Sequence, residues 1–363
     1  MRLIVLNKDF ETLGSIPLFR TLIWTRRYEK LGCFELYTSK EYFQMLNEGK
    51  YLYRNDANEL GIIDEVNYSQ DENGARESYA KGNFAEKVLT DRVIAETITL
   101  TGNVEEAMRR LVNLTCINPT DTDRKMAHLR LGELSGIDGE ISMQSTGDNV
   151  SEKLYEIGNT KEISHRIKYD FQTDDLLFEV WEGVDRRDSQ DVNSWAIFSN
   201  SFYNIRNVVY NRNSASYKNF AYVAGAGEGS GRIIITVDMR QPGEERKEIW
   251  VDARDLQQTD ASENTIPIET YKQQLRQRGL EKLAEYRKVE TVNSGVDSQA
   301  NLVYKKDFDL GDYCTYINTE VGISTDKRIT EVMETYEGAA TELSVTFGTD
   351  EVSTVQQLIK REV

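Results

Sequence analysis

The stretch Phe178-Glu-Val-Trp-Glu-Gly183 begins a series of short motifs that runs through the second half of the chain. Each motif joins β-branched or aromatic residues to a turn residue, a combination typical of a strand and the turn that follows it. The series therefore predicts a scaffold of paired strands. The further motifs are Val184-Asp-Arg-Arg187, Tyr217-Lys-Asn-Phe-Ala-Tyr-Val-Ala-Gly225, Trp250-Val-Asp-Ala-Arg-Asp-Leu256, Asp307-Phe-Asp-Leu-Gly-Asp312 and Thr346-Phe-Gly348.

Strand patterns also occupy the rest of the chain. The segment Ile163–Phe171 alternates apolar and polar residues with a strict period of two, and the strand segments of the first hundred residues are short and rich in β-branched and aromatic types. Three helices interrupt them: one capped by Asn103, one over Val150–Ile157, and one over Ile268–Tyr286 that Gly279 is expected to break. We predict a mainly β chain with α/β insertions. The other predicted strands are Leu3–Leu6, Arg20–Thr25, Cys33–Tyr37, Gly61–Tyr68, Val93–Thr101, Leu176–Glu182, Phe220–Ala224, Arg232–Asp238, Glu248–Asp252, Asn301–Phe308, Tyr313–Ile317, Arg328–Tyr336 and Glu342–Phe347.

The composition excludes several classes of protein. The 363 residues are long enough for two or more domains, and their 39% hydrophobic share is typical of a folded chain. The net charge of −17 disfavours tight binding of a nucleic-acid backbone or of an anionic membrane surface. Two interpretations of this charge stay open: solubility alone, or an acidic surface past which DNA slides without sticking.

The cysteines and the N-terminus indicate a chain made in a cytoplasm. Cys33, Cys116 and Cys314 are far apart and form no CxxC pair, so neither a disulfide framework nor a zinc ribbon is expected. The apolar run at Met1–Leu6 is too short for a signal peptide, and no stretch has the length and hydrophobicity of a membrane span.

The candidate chemical motifs favour structural roles. The glycine-rich segment Gly225–Gly231 is followed by a strand pattern rather than a helix, so a hairpin loop is favoured over a phosphate site. His165 lies on the apolar face of its strand, and His128 lies in a basic stretch that we expect to be exposed; neither has a partner that spacing identifies. The acidic clusters Asp185–Asp191, Asp252–Asp255 and Asp307–Asp312 could supply paired carboxylates, but their interleaved arginines favour ion pairs. We therefore assign no catalytic, cofactor-binding or metal-binding residue and predict no enzyme activity.

The segment Tyr203–Tyr217 interleaves aromatic and basic residues, including Arg206 and Arg212. Such a pattern can stack nucleic-acid bases. Because the chain is strongly acidic, a subunit interface is the better interpretation of this segment, and tyrosine and arginine are enriched at interfaces.

Taken in order, the motifs resemble the tail-hub proteins of long-tailed phages, which share the hub fold of contractile baseplates. The resemblance covers nearly the whole chain, and the order and spacing of the motifs carry it. The departures are Cys33, where the family often has Asp, and Tyr313-Cys314, where Ile-Val is commoner. The matching motifs are Trp24-Thr-Arg-Arg-Tyr28, Gly32-Cys-Phe-Glu-Leu-Tyr37, Glu182-Gly-Val-Asp-Arg186, Phe198-Ser199, Tyr217-Lys-Asn219, Val251-Asp-Ala-Arg-Asp255, Leu310-Gly-Asp312 and Phe347-Gly348.

The resemblance implies two hub-type β-barrel domains. The first barrel is expected at residues 1–98, and an α/β insertion at 99–162. The second barrel is expected to combine 163–256 with 291–363, around a helical excursion at 257–290.

The resemblance also implies a homotrimer whose six barrels form a pseudo-sixfold ring around the DNA channel at the virion tail tip or baseplate. The expected partners are further copies of the chain, the tail tube or distal tail protein above, and a tip, fibre or lysin protein below. DNA is expected only to pass through the lumen. The protein is expected to have no cofactor and no stable membrane binding. Because the last motif lies shortly before Val363, host binding or wall cutting is expected to belong to another protein.

Two rival functions remain open at this stage. A tail-associated cell-wall or polysaccharide hydrolase would need two acids that converge in a cleft. A host-glycan-binding tail module would use some of the 19 tyrosines.

Overall fold

The computed structural model describes residues 1–70, 72, 74, 76–259, 264–297 and 300–348. These residues form 23 β-strands and four α-helices, which are numbered in chain order. The helices are α1 (Phe43–Glu48), α2 (Val104–Val112), α3 (Val150–Lys161) and α4 (Ile268–Ala284). The strands β1 to β23 are, in order, Leu3–Leu6, Thr12–Ile16, Thr21–Arg27, Cys33–Ser39, Tyr51–Arg54, Leu60–Ile62, Glu65–Gln70, Arg76–Asn83, Ile98–Asn103, Leu129–Leu131, Glu140–Ser145, Ser164–Asp170, Asp175–Trp181, Asp185–Arg186, Ile197–Ser199, Ile205–Asn213, Phe220–Ala224, Ile234–Asp238, Glu248–Asp252, Val289–Val296, Tyr313–Asn318, Ile323–Glu337 and Ala340–Phe347.

One large sheet runs through the molecule and joins the two ends of the chain. Its main path has the order β16-β20-β23-β22-β3-β4-β8-β7, and β14, β15 and β21 extend it beside the first part of β22. Every neighbouring pair on the main path is antiparallel. The pairing of β22 with β3 therefore brings residues near position 330 beside residues near position 25.

One face of this sheet packs on two cores, which lie at different ends of the main path. At the β3-β4-β8 end, the four-stranded sheet β2-β1-β5-β6 lies over these strands around Trp24, Phe34 and Leu52. At the other end, Phe198 and Phe347 centre a second cluster that β20, β21, β22 and β23 surround. Aromatic rings fill both cores because they bury the largest apolar area per side chain.

The middle of the chain forms a third core around two helices. Asn103 accepts a hydrogen bond from the backbone N–H of Glu106 and caps α2, as the sequence predicts. The apolar side of α2, including Met108 and Leu111, is buried with α3 and the strands β9 to β13.

A fourth core joins α4 to the three-stranded sheet β18-β17-β19. The helix is continuous through Gly279, so the predicted break there is wrong. A Cβ on Gly279 would lie 2.7 Å from side-chain atoms of both Val223 and Val237. The glycine thus permits a close approach between the helix and the sheet instead of ending the helix.

The mainly β architecture is confirmed, with several sheets and two apolar clusters along the large sheet. None of the sheets closes into a barrel within the described ranges, so the closed barrels of the expected fold are not seen. The strand predicted over Asn301–Phe308 is wrong, because this segment is built of turns with a single bridge between Tyr304 and Phe308. The predicted domain boundaries stay a prediction, and part of the last one (349–363) lies outside the described residues.

Candidate assembly surface

The main path of the large sheet is built from two four-stranded units with the same internal order. The N-terminal unit is β3-β4-β8-β7 and the C-terminal unit is β16-β20-β23-β22. In both, the first two strands along the chain pair with each other, the last two pair with each other, and the second strand pairs with the fourth. The main path of the large sheet is therefore an internal repeat, and its two units meet at the junction of β22 with β3.

The repeat leaves two open edges, β7 and β16. Within the described part of the chain, each of these strands pairs on one side only. Exposed apolar side chains lie on both: Tyr68 on β7 is 44% exposed, and Val209 and Tyr210 on β16 are 63% and 37% exposed. Open edges that carry apolar residues are a ready template for pairing with another chain.

The predicted aromatic and basic segment Tyr203–Tyr217 contains β16. Sequence analysis indicated an interface there but missed the strand itself, although the β-branched and aromatic residues at Ile205–Tyr210 are a strand signal. It also missed that Tyr68 would lie at an edge, because a strand's position in a sheet is not encoded in its own residues.

The face of the large sheet that points away from the cores is polar and carries more acids than bases. Several of its charges pair across strands, with Lys81 3.1 Å from Glu65 and Arg27 2.7 Å from Glu331. The remaining side chains are mostly Thr, Ser, Asn and Tyr. The acids of this face are Glu35, Glu65, Glu77, Glu331, Glu337 and Glu342, and its bases are Arg27, Lys81 and Arg206.

Buried ion pairs lock the junction between the two units. The Arg54 guanidinium on β5 lies 2.8 Å from the Glu334 carboxylate on β22, and the two side chains are 1% and 5% exposed. Arg54 also lies over the Trp24 ring at 5.2 Å and the Tyr336 ring at 5.4 Å. Tyr336 donates a further hydrogen bond to Glu334.

A second arginine, Arg26 on β3, lies at the same junction, two residues along the strand from Trp24 and on the same face of the large sheet. Its guanidinium lies 2.6 Å from a carboxylate oxygen of Glu59 and 2.6 Å from one of Asp309, and it donates to the Tyr304 hydroxyl at 2.8 Å. Burial of the Arg26 guanidinium lowers its pKa, but the nearby Glu59, Tyr304 and Asp309 outweigh this effect and hold the pKa well above its usual value. Segments from both ends of the chain thus share one network of buried charges.

A small cavity beside this junction contains titratable groups but no room for a cofactor. Its volume is about 40 Å³, which suits a few water molecules. Glu86 lines it; one carboxylate oxygen accepts from the Ile167 N–H at 3.0 Å, and burial raises the pKa of Glu86 to about 7. Its other oxygen is buried without a hydrogen-bond partner among the described residues.

His165 lines the same cavity and behaves as a structural residue. Its ring lies 5.9 Å from that of Phe178, and burial lowers the pKa of His165 to about 4. The histidine is therefore neutral at physiological pH. His128, which we expected to be exposed, is half-buried instead: its ring lies 4.6 Å from that of Phe10, and its Nδ1 lies 3.0 Å from the Asp174 carbonyl oxygen.

The glycine-rich segment forms a hairpin loop, as predicted. Strands β17 and β18 pair antiparallel on either side of Gly225–Gly231, and no helix begins after it. Gly227 has a φ of +102°, which favours glycine at this turn. The loop lacks the strand-to-helix geometry that a phosphate site of this type needs.

The acidic clusters form ion pairs, also as predicted. The carboxylate of Asp185 lies 2.6 Å from Arg187, that of Asp252 lies 2.6 Å from Arg232, and that of Asp312 lies 2.7 Å from Arg186. Asp255 pairs with the helix residue Arg278 at 2.8 Å. These carboxylates are engaged by arginines rather than paired with each other across a cleft.

No group of three or more His, Cys, Asp or Glu side chains is placed to hold a metal ion among the described residues. None of the described helices combines the length and the apolar character needed to cross a membrane.

Comparisons with solved structures place the fold among phage tail proteins. A tail protein from Neisseria meningitidis MC58 superposes with a TM-score of 0.57 at 13% identity, over 97% of this chain and 98% of that one. Prophage tail protein gp18 from Listeria monocytogenes EGD-e gives 0.56 at 14% identity, over 99% and 98%. The 43 kDa tail protein of prophage MuSo2 from Shewanella oneidensis gives 0.56 at 11% identity, over 96% and 98%.

These identities are low, so the three superpositions show a shared fold. No curated protein matches the chain. A family model does match, and it spans residues 2–349, which include the whole repeat and both of its cores. The chain belongs to the Siphovirus ReqiPepy6 Gp37-like protein family, a family of siphovirus tail proteins.

Proposed function

We propose that this tail protein is the hub subunit of the tail tip or baseplate, with a structural role and no enzyme activity. Three copies would form a ring that joins the tail tube or distal tail protein to the tip, fibre or lysin protein and surrounds the DNA channel. The observation that carries this proposal is the internal repeat of the large sheet.

The repeat gives a physical reason for a pseudo-sixfold ring. Each chain contributes two units with the same strand order, so three chains contribute six similar units. In this proposal, each unit and the strands packed on it correspond to one hub-type barrel. Closed rings are the usual solution when a surface at one end of a subunit binds a different surface at the other end.

The polar face of the sheet supports passage of DNA without binding. The strands of this face carry six glutamates against three basic residues, two of which are paired with glutamates, and Arg20 just before β3 pairs with Glu77. Acids thus still outnumber bases by six to four. A lumen of this charge would repel the phosphate backbone rather than hold it. The proposal therefore assigns this face to the channel.

The test is the solution mass of the full chain by light scattering across a wide concentration range, followed by imaging of the particles. The chain mass is 41.7 kDa, so we expect a species of about 125 kDa with a central hole. A strict monomer at every concentration, also in the presence of the tail tube protein, would refute the ring. Cell-wall clearing by the purified protein would support a hydrolase, and glycan binding by a monomer would support a host-attachment module.

A further inference from the structure

We infer that β7 of one copy pairs antiparallel with β16 of the next copy, with Tyr68 opposite Tyr210. This inference rests on the proposed ring and adds the strands, the direction and the register of the contact. The intramolecular junction of β22 with β3 serves as its template.

The two units can be aligned residue by residue through their last two strands. The β7–β8 ladder begins with Glu65 opposite Lys81, and the β22–β23 ladder runs regularly from Glu331 opposite Thr346, after an irregular pair of Ile329 with Phe347. Just before each glutamate the regular pairing is interrupted. The match makes Glu65 equivalent to Glu331, and hence β7 equivalent to β22 and Tyr68 equivalent to Glu334.

The same alignment extends to the first strand of each unit. The pair of Phe34 and Gly82 corresponds to the pair of Val292 and Phe347. Phe34 is also opposite Trp24, and Val292 is also opposite Tyr210. Strand β3 is thus equivalent to β16, and Trp24 is equivalent to Tyr210.

The residue equivalences carry the known junction over to the open edges. Within the chain, Trp24 on β3 lies opposite Glu334 on β22, in an antiparallel pair. Replacing each residue by its equivalent puts Tyr210 of one copy opposite Tyr68 of the next. The same transfer puts Arg212 opposite Val66, because Arg26 lies opposite Val332.

The directions of the strands allow this pairing to repeat from copy to copy. All neighbours on the main path are antiparallel and the path has eight strands, so its first and last strands run in opposite directions. An antiparallel contact between β7 and β16 therefore continues the sheet without a change of pattern. The two tyrosines would cover each other, and aromatic cross-strand pairs stabilise antiparallel sheets.

The charges of the two edges favour this contact over pairing of like edges. Strand β16 carries Arg206 and Arg212 and no acid, whereas β7 carries Glu65 and no base. Two β16 strands side by side would bring arginines together, whereas β7 beside β16 brings an edge with one acid next to an edge with two bases. Contacts between two different edges build rings rather than two-fold dimers.

Disulfide cross-linking of the full-length ring tests the register. We expect Tyr68→Cys/Tyr210→Cys to give dimers and closed trimers on non-reducing gels, at least about tenfold more than wild type, whose native cysteines set the background. The matched control is Tyr68→Cys/Arg212→Cys, where the shift of two residues gives Cα atoms roughly 7–8 Å apart, too far for a strain-free disulfide. A second pair, Ser69→Cys/Val209→Cys, tests the adjacent position on the other face.

The outcomes separate the two proposals. A threefold mass with no cross-link in either matched pair, or with equal cross-linking in the shifted control, would refute the β7–β16 register while the ring stands. A monomer that never cross-links would refute both the ring and the inference.

Discussion

The buried pair of Arg54 and Glu334 provides a quantitative test of how the two units are held together. Replacing Glu334 by Leu leaves the Arg54 guanidinium 1% exposed, with the half-exposed carboxylate of Asp56 at 2.9 Å as its remaining ion-pair partner. Removing one member of a buried pair typically costs about 3–5 kcal/mol, because the other charge stays buried without compensation. We expect Glu334→Leu to lower the free energy of unfolding by about that amount.

The double variant Arg54→Leu/Glu334→Leu is expected to recover most of this loss. An apolar pair of similar volume is often no worse than a buried ion pair. Part of the loss should remain, because the contacts of Arg54 with the Trp24 and Tyr336 rings disappear, and each is worth about 0.5–2 kcal/mol. The coupling energy between the two positions should therefore be at least about 2 kcal/mol.

Urea unfolding followed by tryptophan fluorescence measures these values, since Trp24 lies at the junction. The control is Glu269→Ala, which removes an exposed ion pair with Lys272 on α4 and should have little effect. If Glu334→Leu costs no more than Glu269→Ala, or if the coupling energy is near zero, the reasoning that this pair locks the junction is refuted.

Three further predictions concern single residues outside the junction pair. Glu86 has a folded-state pKa of about 7 against 4.5 normally, so its contribution to stability is present below about pH 4.5 and is lost as the pH rises through 7. In urea unfolding, the free energy of unfolding of Glu86→Gln should therefore gain about 3 kcal/mol relative to wild type between pH 4.5 and pH 8. A difference between variant and wild type that does not change with pH would contradict this. Asn103→Ala should cost about 1 kcal/mol in the same assay, since it removes the cap of α2. Gly82→Ala should unfold the protein or abolish its expression, because the new Cβ would lie 1.8 Å from the Ile62 carbonyl oxygen, whereas Gly231→Ala, with open space, should be neutral by thermal melting.

Local features of the fold could be predicted from the sequence because their causes are local. The alternation in Ile163–Phe171 corresponds to β12, and the cap at Asn103 corresponds to the start of α2. The hairpin around Gly225–Gly231 followed from the strand pattern after it. In each case a few neighbouring residues decide the backbone conformation.

The failures have physical reasons of a different kind. The segment Asn301–Phe308 has the composition of a strand, yet Lys305 has a φ of +65° and Asp307 accepts a hydrogen bond from the Val303 N–H, which fixes a turn. Gly279 was read as a helix breaker, but the close packing of α4 on its sheet needs a residue without a side chain. Tertiary contacts override local preference at both places.

The candidate assembly surface lay almost wholly beyond sequence analysis, because it depends on which strands become neighbours. The decisive contact joins β3 to β22, some 300 residues apart along the chain. Buried charges make that contact selective: Glu334 on β22 finds Arg54 only in this register, since a shift of one residue would turn it to the opposite, polar face. The open edges have no such charge pair at the equivalent positions, where Tyr68 and Tyr210 stand instead. The junction inside the chain is therefore fixed by buried charges, whereas the edges that we propose to pair between copies lack them.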